Sequence, residues 1–506
     1  MIRGVVAAGH PVTAGAAAEA LAAGGNAFDG VVAAAWTACV AEPVLASLGG
    51  GGFLTARRAD GQVVVYDFFV AAPRRADPRR RHPIRADFGG AAQEFHIGLG
   101  SVAVPGVVAG LFRIQRELGR LPMARLLAPA RRAAEEGFVL NEFQGRLFQV
   151  VRAIYTATPE ARSVFGRGDG TLVGAGDRLR QPALAGVLER LAREGPACFY
   201  RGALAEAIAA LCRDSGVDRR DLAAYRVIRR APLAYGFRGA RVYSNPPPAS
   251  GGLLVRLVLE ILQSAPAAVE PEAAARRLAA ALSCMEQARE DCLDPRGRLA
   301  PDCLGARRWL ECWRARGGGP PPATRGTTHI SVADGEGGLA ALSLSNGEGC
   351  GHLVPGTGIM LNNMLGEADV HPGGFDRLDP GERPGSMMAP TLARTPDGAW
   401  LATGSGGSAR IRSAVAQVLV HMIEGGLAPA EAVARPRLHV EGGRLQIEGG
   451  HPQAGALGAC YPGARLWAGR NLYFGGAHSL RVHWGRGTCA GAGDPRRAGA
   501  SRRVEA

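Results

Sequence analysis

The stretch Gly326-Thr-Thr-His-Ile-Ser-Val332 decides which fold the sequence predicts. It follows residues 314–325, which are rich in glycine and proline, lack an apolar period, and therefore predict neither a helix nor a central strand. Beyond the stretch, a polar turn spans residues 334–338 and a second apolar run ends at Ser345. This pattern predicts a β-hairpin whose first strand begins at Thr327.

A threonine that opens a strand behind a loose segment is what a self-cleaving N-terminal-nucleophile hydrolase requires. In such an enzyme the hydroxyl of Thr327 attacks the carbonyl of Gly326, and the α-amine freed by the cut becomes the general base for the same hydroxyl. Glycine before the threonine tolerates a strained backbone and gives the hydroxyl access. Many hairpins begin with Thr-Thr, so a purely structural strand fits the local pattern as well.

Composition indicates a globular protein. The 506 residues, 47% of them hydrophobic, are enough for about two to four average domains. No apolar run of about 18 residues and no signal-peptide pattern occurs, so we predict no membrane segment and a cytoplasmic location. The ten cysteines show no C-x-x-C spacing, which predicts reduced, mostly buried thiols and no metal site.

All 59 basic residues are arginine, and the formal net charge is +14. The absence of lysine excludes a lysine Schiff base, and with it ordinary pyridoxal phosphate chemistry, as well as a P-loop lysine. A basic excess can indicate a nucleic-acid partner. Much of the arginine, however, lies beside glutamate in helical patterns such as residues 130–136, without interleaved aromatic residues. We therefore predict solvated helix faces and no nucleic-acid partner.

Helical patterns dominate the chain before residue 314, and strand patterns dominate after residue 327. Thr13 is a candidate cap for a first helix that ends at Gly24-Gly25, and Asn26 for a second, buried helix to about Ala41. One clear helix near Ser413 to Glu424 interrupts the strand-rich part. Such an order predicts sheets with helices outside them.

Short motifs follow one another in a fixed order along nearly the whole chain. They are Gly4–Pro11, Gly24–Asp29, Gly49–Phe53, Val104–Gly106, Asp221–Tyr225, Pro246–Pro248, Gly326–His329, Pro355–Asn363, Arg383–Pro384, Gly404–Gly407 and Gly469–Gly476. As an ordered set they resemble the γ-glutamyltransferases, also called γ-glutamyl transpeptidases or glutathione hydrolases. The resemblance implies an α/β (α+β) four-layer αββα sandwich. It also implies self-cleavage into a large subunit, 1–326, and a small subunit, 327–506, that together form one globular unit and need no cofactor.

The resemblance makes Thr327 the catalytic nucleophile and Ser345 a second hydroxyl beside it. The hairpin gives this a physical basis: if Val332 pairs with Leu339, Ser345 falls opposite the start of the Thr327 strand. An exposed strand serine is the plainer alternative. His329 lies on the same strand face as the nucleophile, but in this family the base is the terminal amine, so we interpret His329 as structural.

Further roles follow from the same resemblance. Gly406 and Gly407 match the glycine pair whose backbone N–H groups form the oxyanion hole, and a shift of one residue makes Ser408 a candidate too. Glu367 matches an aspartate that binds the α-amine of the substrate. Asn346 is a candidate for a further substrate contact.

The sequence departs from the family where the substrate α-carboxylate is held. The resemblance places Phe69 where the family has the arginine that holds the carboxylate, and Ser386 and Met387 where it has two adjacent serines. Met364 stands where the family has a glutamine that helps to hold the α-amino group. An unpaired carboxylate facing these side chains would cost several kcal/mol unless another donor moves in, and Arg74, Arg75 and Arg410 are candidates. The resemblance implies a small γ-glutamyl, glutathione-like amide as the substrate. A less polar or decarboxylated acyl amide is an alternative that fits the apolar replacements better, and an inactive binding protein on the same fold is another.

Overall fold

The computed structural model describes residues 2–87, 92–294, 298–303, 326–371 and 374–505. Within these ranges two β-sheets lie face to face, and helices cover the outer face of each sheet. The predicted αββα architecture is confirmed. The glycine- and proline-rich segment 314–325 lies outside the described residues.

The first sheet has seven strands in the order β22-β1-β11-β12-β2-β3-β8. All neighbouring pairs in it are antiparallel. Its strands are β1 (Ile2–Ala8), β2 (Gly51–Arg57), β3 (Val63–Phe68), β8 (Ile228–Arg230), β11 (Thr328–Asp334), β12 (Leu339–Ser345) and β22 (Ala500–Glu505).

The second sheet has six strands in the order β21-β20-β14-β13-β10-β9. Its strands are β9 (Leu233–Phe237), β10 (Ala240–Ser244), β13 (Thr391–Arg394), β14 (Trp400–Thr403), β20 (Ser479–His483) and β21 (Thr488–Ala492). Residues before and after position 326 contribute strands to both sheets, so a cut at that position would leave two chains that still share each sheet.

Short strands form small additional sheets outside the two main ones. They are β4 (His82–Asp87) with β5 (Ala92–Ile97), β6 (Phe138–Val139) with β7 (Arg178–Leu179), β15 (Ser405–Gly406) with β19 (Gly476–Ala477), and β16 (Leu438–Glu441) with β17 (Arg444–Ile447) and β18 (Arg465–Leu466).

Helices α1 to α11 precede the second sheet in the chain. They are α1 (Pro11–Ala22), α2 (Ala27–Ala41), α3 (Val107–Leu118), α4 (Met123–Glu136), α5 (Glu142–Val150), α6 (Arg152–Tyr155), α7 (Pro159–Phe165), α8 (Pro182–Glu194), α9 (Ala197–Tyr200), α10 (Ala203–Leu211) and α11 (Arg219–Ala224). The later helices are α12 (Gly251–Gln263), α13 (Pro271–Asp291), α14 (Arg410–Ile423), α15 (Pro429–Ala434) and α16 (Ala454–Cys460).

Three apolar clusters fill the spaces between the layers. Ile330 and Val332 of β11 pack with α1 and α2 on one side of the first sheet. Ala333 and Leu339 pack with Trp400 between the two sheets. A third cluster lies between the second sheet and helices α12, α13 and α14. Because side chains alternate along a strand, Thr328 points toward α1 and α2, and its neighbours on either side point toward the second sheet.

The predicted hairpin forms, but its register differs by one residue from the expectation. Val332 pairs with Ala340 and not with Leu339. The turn is closed by a hydrogen bond from the Asp334 N–H to the Gly338 carbonyl, 3.1 Å long, which sets the register. Thr328 pairs with Leu344, so Ser345 still falls opposite Thr327.

Helix α2 has the predicted boundaries: it begins after its Asn26 cap and ends at Ala41. The first helix begins at Pro11, and its cap is His10, whose side chain accepts a hydrogen bond from the Val12 N–H. The expectation that Thr13 caps α1 was therefore wrong.

In the ranges that the structure describes, no helix is both long enough and apolar enough to cross a membrane. Nine of the ten cysteines fall in these ranges as free thiols, and six of the nine are buried. Among the same residues, no group of three or more His, Cys, Asp or Glu side chains could hold a metal ion.

One buried carboxylate ties the hairpin turn to the helix layer. Asp334 Oδ1 accepts hydrogen bonds from the Glu336 and Gly338 N–H groups, each 2.8 Å long. Its Oδ2 accepts one of 2.9 Å from the N–H of Ala27, the first residue of α2. Free N–H groups at a helix N-terminus favour a negative charge. Asp334 therefore fixes the strand that follows Thr327 against α2.

We expect Asp334→Ala to lower the free energy of unfolding by about 1–3 kcal/mol, because the buried N–H groups lose their acceptor. Glu336→Ala is the matched control: it changes an exposed carboxylate of the same turn, which pairs with Arg120 at the surface, and should have little effect. Thermal unfolding followed by circular dichroism would compare the two variants. Equal transition temperatures for both would contradict the role of Asp334.

Candidate active site

The hydroxyl groups of Thr327 and Ser345 both reach the carbonyl oxygen of Gly326. Thr327 Oγ1 lies 2.8 Å from that oxygen and 3.3 Å from Ser345 Oγ. Ser345 Oγ donates to the same oxygen at 2.8 Å and accepts from the Gly347 N–H at 3.1 Å. Both side chains are buried. The two hydroxyls therefore surround the peptide bond between Gly326 and Thr327 and polarise its carbonyl.

Gly326 is held in a tightly enclosed position. Its N–H donates to Glu348 Oε1 at 2.8 Å. A Cβ at this position would lie 2.5 Å from the Gly347 carbonyl oxygen and 2.8 Å from that of Val44, which is closer than real Cβ atoms come. The enclosed space therefore requires glycine before the threonine.

His329 takes part in a buried network that does not include Thr327. Its Nε2 lies 3.0 Å from Ser331 Oγ, and its Nδ1 lies 2.9 Å from Ser343 Oγ. Ser331 Oγ donates to the His478 carbonyl oxygen, so it accepts from Nε2–H, and Nδ1 accepts from Ser343. Burial lowers the pKa of His329 well below its usual value. The geometry agrees with the structural role that the sequence predicts for this neutral imidazole.

The glycine-rich turn at residues 406–408 lies directly beside Thr327. A Cβ on Gly406 would overlap the Thr327 carbonyl oxygen. Gly407 has a φ of 117° and Ser408 one of 50°, so the backbone turns through the left-handed region. In the described chain, neither the Gly407 N–H nor the Ser408 N–H has a protein acceptor. Two neighbouring buried donors are thus available beside the threonine.

A narrow cavity opens from Thr327 and Ser345, and about half of its lining residues are apolar. With Gly326 in place, the described residues leave a volume of about 20 Å³, which is room for about one water molecule. Phe69 stacks on Phe53 with ring centroids 5.4 Å apart. The apolar lining residues are Phe69, Met364, Val370, Met387, Met388 and Ile411.

One wall of the cavity carries carboxylates. Glu367 and Asp369 both line it, as do the hydroxyl-bearing residues Ser386 and Ser408. Asp369 accepts a hydrogen bond from the Ser408 hydroxyl and one of 3.1 Å from Arg289. The side chain of Asn346 is buried and has no hydrogen-bond partner among the described residues, but it does not line the cavity.

No arginine among the described residues lines this cavity. Arg74 turns away from it and pairs with Asp221 at 3.0 Å, and Arg75 is exposed at the surface. Arg410 is buried, lies 3.7 Å from Glu441 and stacks on an aromatic ring. None of the three candidates for a replacement carboxylate-binding residue therefore reaches the cavity.

Three further residues contact this region that sequence reasoning missed. Glu348 binds the Gly326 N–H, Glu42 accepts a hydrogen bond of 2.5 Å from Thr328 Oγ1, and Arg497 donates one of 3.2 Å to the Thr327 carbonyl. For Glu42, the sequence offers one indication of a role: a glutamate at the end of an apolar helix. Nothing local to Arg497 indicates its contact.

Comparison with known proteins agrees with this geometry. The model of the family described as γ-glutamyltranspeptidase matches residues 13–504. The acylase ACY 1 proenzyme of Pseudomonas sp. (strain SE83) is 32% identical over 477 residues, covering 89% of this chain and 85% of the relative. The glutathione hydrolase proenzyme of Escherichia coli (strain K12) is 31% identical over 479 residues, covering 86% and 81%.

The crystal structure of cephalosporin acylase from Bacillus halodurans superposes with a TM-score of 0.85 at 25% identity and covers 99% of this chain and 96% of that one. The acylase ACY 1 and glutathione hydrolase relatives are both described as proenzymes. The chain is therefore an enzyme that belongs to the γ-glutamyltranspeptidase family.

Proposed function

We propose that the chain cleaves itself between Gly326 and Thr327 and then acts as an N-terminal-threonine amidase and acyltransferase. The observation that carries the proposal is the convergence of the Thr327 and Ser345 hydroxyls on the Gly326 carbonyl. The subunits would be residues 1–326 and 327–506.

Self-cleavage begins when Thr327 Oγ1 attacks the carbonyl carbon of Gly326. The hydroxyl proton passes to the amide nitrogen, the C–N bond breaks, and an ester links Gly326 to the threonine side chain. Water then hydrolyses the ester, which leaves a carboxylate on Gly326 and a free α-amine and hydroxyl on Thr327. Ser345, which donates to the carbonyl oxygen, stabilises the negative charge that develops there.

The same threonine then attacks a substrate amide. Its α-amine takes the hydroxyl proton and passes it to the leaving amine, and the acyl group stays on Oγ1 until water or an acceptor amine removes it. The oxyanion of each tetrahedral intermediate needs fixed donors. The unpaired N–H groups of Gly407 and Ser408 meet that need, with Gly406 packed against the nucleophile. This assignment favours Gly407 and Ser408, the alternative shifted by one residue, over Gly406 and Gly407 as donors of the oxyanion hole.

The cavity supports an acyl donor without an α-carboxylate. Its apolar wall, which includes Phe69, Met364 and Met387, offers no cation, and the carboxylates of Glu367 and Asp369 would repel a bound anion. After the cut, displacement of the new chain end at Gly326 would open the space that the substrate needs. A relative described as an acylase supports this substrate class.

A γ-glutamyl amide such as glutathione is the second candidate. Glu367 lines the cavity at the position expected to bind the substrate α-amine, and one relative is described as a glutathione hydrolase. The two candidates differ in whether an α-carboxylate can be accommodated.

Self-cleavage predicts two chains in the intact mass spectrum of purified protein, the smaller beginning at Thr327. Thr327→Ala should remain one chain, because the attacking oxygen is missing, whereas Thr327→Ser should still be cut. Ser345→Ala should slow the cut by about tenfold or more, since one donor to the carbonyl is lost. A wild-type chain that stays whole through prolonged incubation would refute the mechanism.

Four p-nitroanilides separate the substrate candidates, because they carry the amine and the carboxylate independently: γ-glutamyl (both), glutaryl (carboxylate), 4-aminobutyryl (amine) and butyryl (neither). We expect kcat/KM to be at least about tenfold higher for the two anilides without a carboxylate, since an unpaired buried carboxylate is strongly unfavourable. Fastest cleavage of the γ-glutamyl compound would contradict this substrate class and favour the second candidate.

Phe69→Arg adds the missing cation, with Phe69→Leu as the apolar control. The arginine variant should raise the γ-glutamyl to 4-aminobutyryl ratio of kcat/KM by about tenfold or more, and the leucine variant should leave the ratio unchanged. Equal ratios in the two variants would show that the side chain at this position does not select against a carboxylate.

A further inference from the structure

The carbonyl oxygen of Thr327 and the side chain of Thr328 are each bound by a buried ionisable group. Arg497 Nη1 donates to the Thr327 carbonyl oxygen at 3.2 Å. On the helix side, Glu42 Oε2 accepts from Thr328 Oγ1 at 2.5 Å, and its Oε1 accepts from Thr13 Oγ1 at 2.7 Å. All four side chains that make these contacts are buried.

The backbone around both groups leaves room for them. A Cβ on Gly9 would overlap Glu42 Oε2 and would lie 2.7 Å from Thr328 Oγ1. A Cβ on Gly406 would lie 2.7 Å from Arg497 Nη1. Glycines at these two positions therefore allow a buried carboxyl and a buried guanidinium to approach the nucleophile from different elements.

We propose that Arg497 and Glu42 are positioning residues that hold the Thr327–Thr328 peptide and, by their opposite charges, set the basicity of the α-amine freed on Thr327. This inference rests on the self-cleavage proposed above. The amine must be neutral to accept the hydroxyl proton, and its ordinary pKa lies near 8. A neighbouring cation favours the neutral amine, and a neighbouring carboxylate favours the ammonium form.

The charge state of Glu42 changes near neutral pH. Burial raises the pKa of its carboxyl to about 7, against the lowering effect of the hydrogen bonds from Thr328 and Thr13 and of the Arg497 charge. The carboxyl is therefore neutral at lower pH and becomes charged as the pH rises through about 7. Arg497 stays charged in this range, although burial lowers its pKa to about 10.

Other charged side chains act on the region around Glu42, Arg497 and Thr327. The variants that test the proposal must leave those side chains unchanged. Glu348 lies 2.8 Å from the Gly326 nitrogen, so its carboxylate also faces the future amine. Further charged or titratable groups in the described chain that are coupled to Glu42 or Arg497 include Cys39, Arg410, Arg437, His478 and Asp494.

The test is the acid limb of the pH profile of kcat/KM, measured with whichever p-nitroanilide the wild type cleaves fastest. A charge within about 6 Å moves a pKa by on the order of one or two pH units. Arg497→Gln keeps an N–H donor for the carbonyl but removes the charge, so its limb should move to higher pH. Glu42→Gln keeps hydrogen bonds to both threonines, and its limb should move to lower pH.

Three further variants separate charge from structure. Arg497→Lys keeps the charge and should keep the wild-type limb. The double variant Arg497→Gln with Glu42→Gln should return the limb toward the wild-type position, because the two effects have opposite signs. Arg503→Gln, which removes an exposed arginine paired with Glu505 at the surface, should change nothing.

Movement of the two limbs in opposite directions supports the inference. Limbs that stay within about 0.2 pH units of the wild type in both single variants would overturn it, even where kcat falls, because a purely structural role lowers kcat without moving the limb. A wild-type chain that is never cut would overturn the self-cleavage proposal together with this inference. If the wild type is cut and active but the acid limbs of the two single variants do not move, this inference alone is overturned.

Discussion

The structure depends on one constraint: a hydroxyl must meet the carbonyl of its own preceding residue inside a buried space. Two adjacent antiparallel strands satisfy it, because their backbones lie about 4.8 Å apart and bring Ser345 opposite Thr327. The hairpin turn maintains this register through the buried carboxylate of Asp334. Packing of the second sheet on one face of the hairpin and of helices on the other then excludes water from the Gly326 carbonyl, which strengthens every hydrogen bond to it.

Alternation along β11 gives neighbouring residues different tasks. Thr328 points to the helix layer and reaches Glu42, whereas His329 points between the sheets and joins a network of serines. Thr327, the proposed nucleophile, therefore lies between a helix layer that binds Thr328 through Glu42 and the Arg497 side chain that binds its own carbonyl oxygen. A displacement of either layer would move Thr327 relative to the donors at Gly407 and Ser408.

Local sequence was sufficient to predict the parts of the site that lie on one hairpin. Strand periodicity placed Thr327 beside Ser345 even with a register error of one residue, because a shift of that size leaves the two strand ends adjacent. The contacts of Glu42 and Arg497 could not be predicted, since they join positions 286 and 170 residues apart, and only the packed layers bring them together. The Thr13 cap was wrong for the same reason: a distant carboxylate, Glu42, binds its hydroxyl.

Catalysis and substrate binding draw on different parts of the chain. In the proposed mechanism, the hairpin and the turn at residues 406–408 supply the groups that act on the substrate carbonyl, and their action does not depend on which acyl chain is attached. Phe69 and the segments at 364–370 and 386–388 form the rest of the cavity. Because these segments carry none of the proposed reacting groups, we expect exchange of a cationic side chain for an apolar one to change the acyl group that fits without displacing Thr327. Family membership accordingly says more about the chemistry of this chain than about the substrate on which it acts.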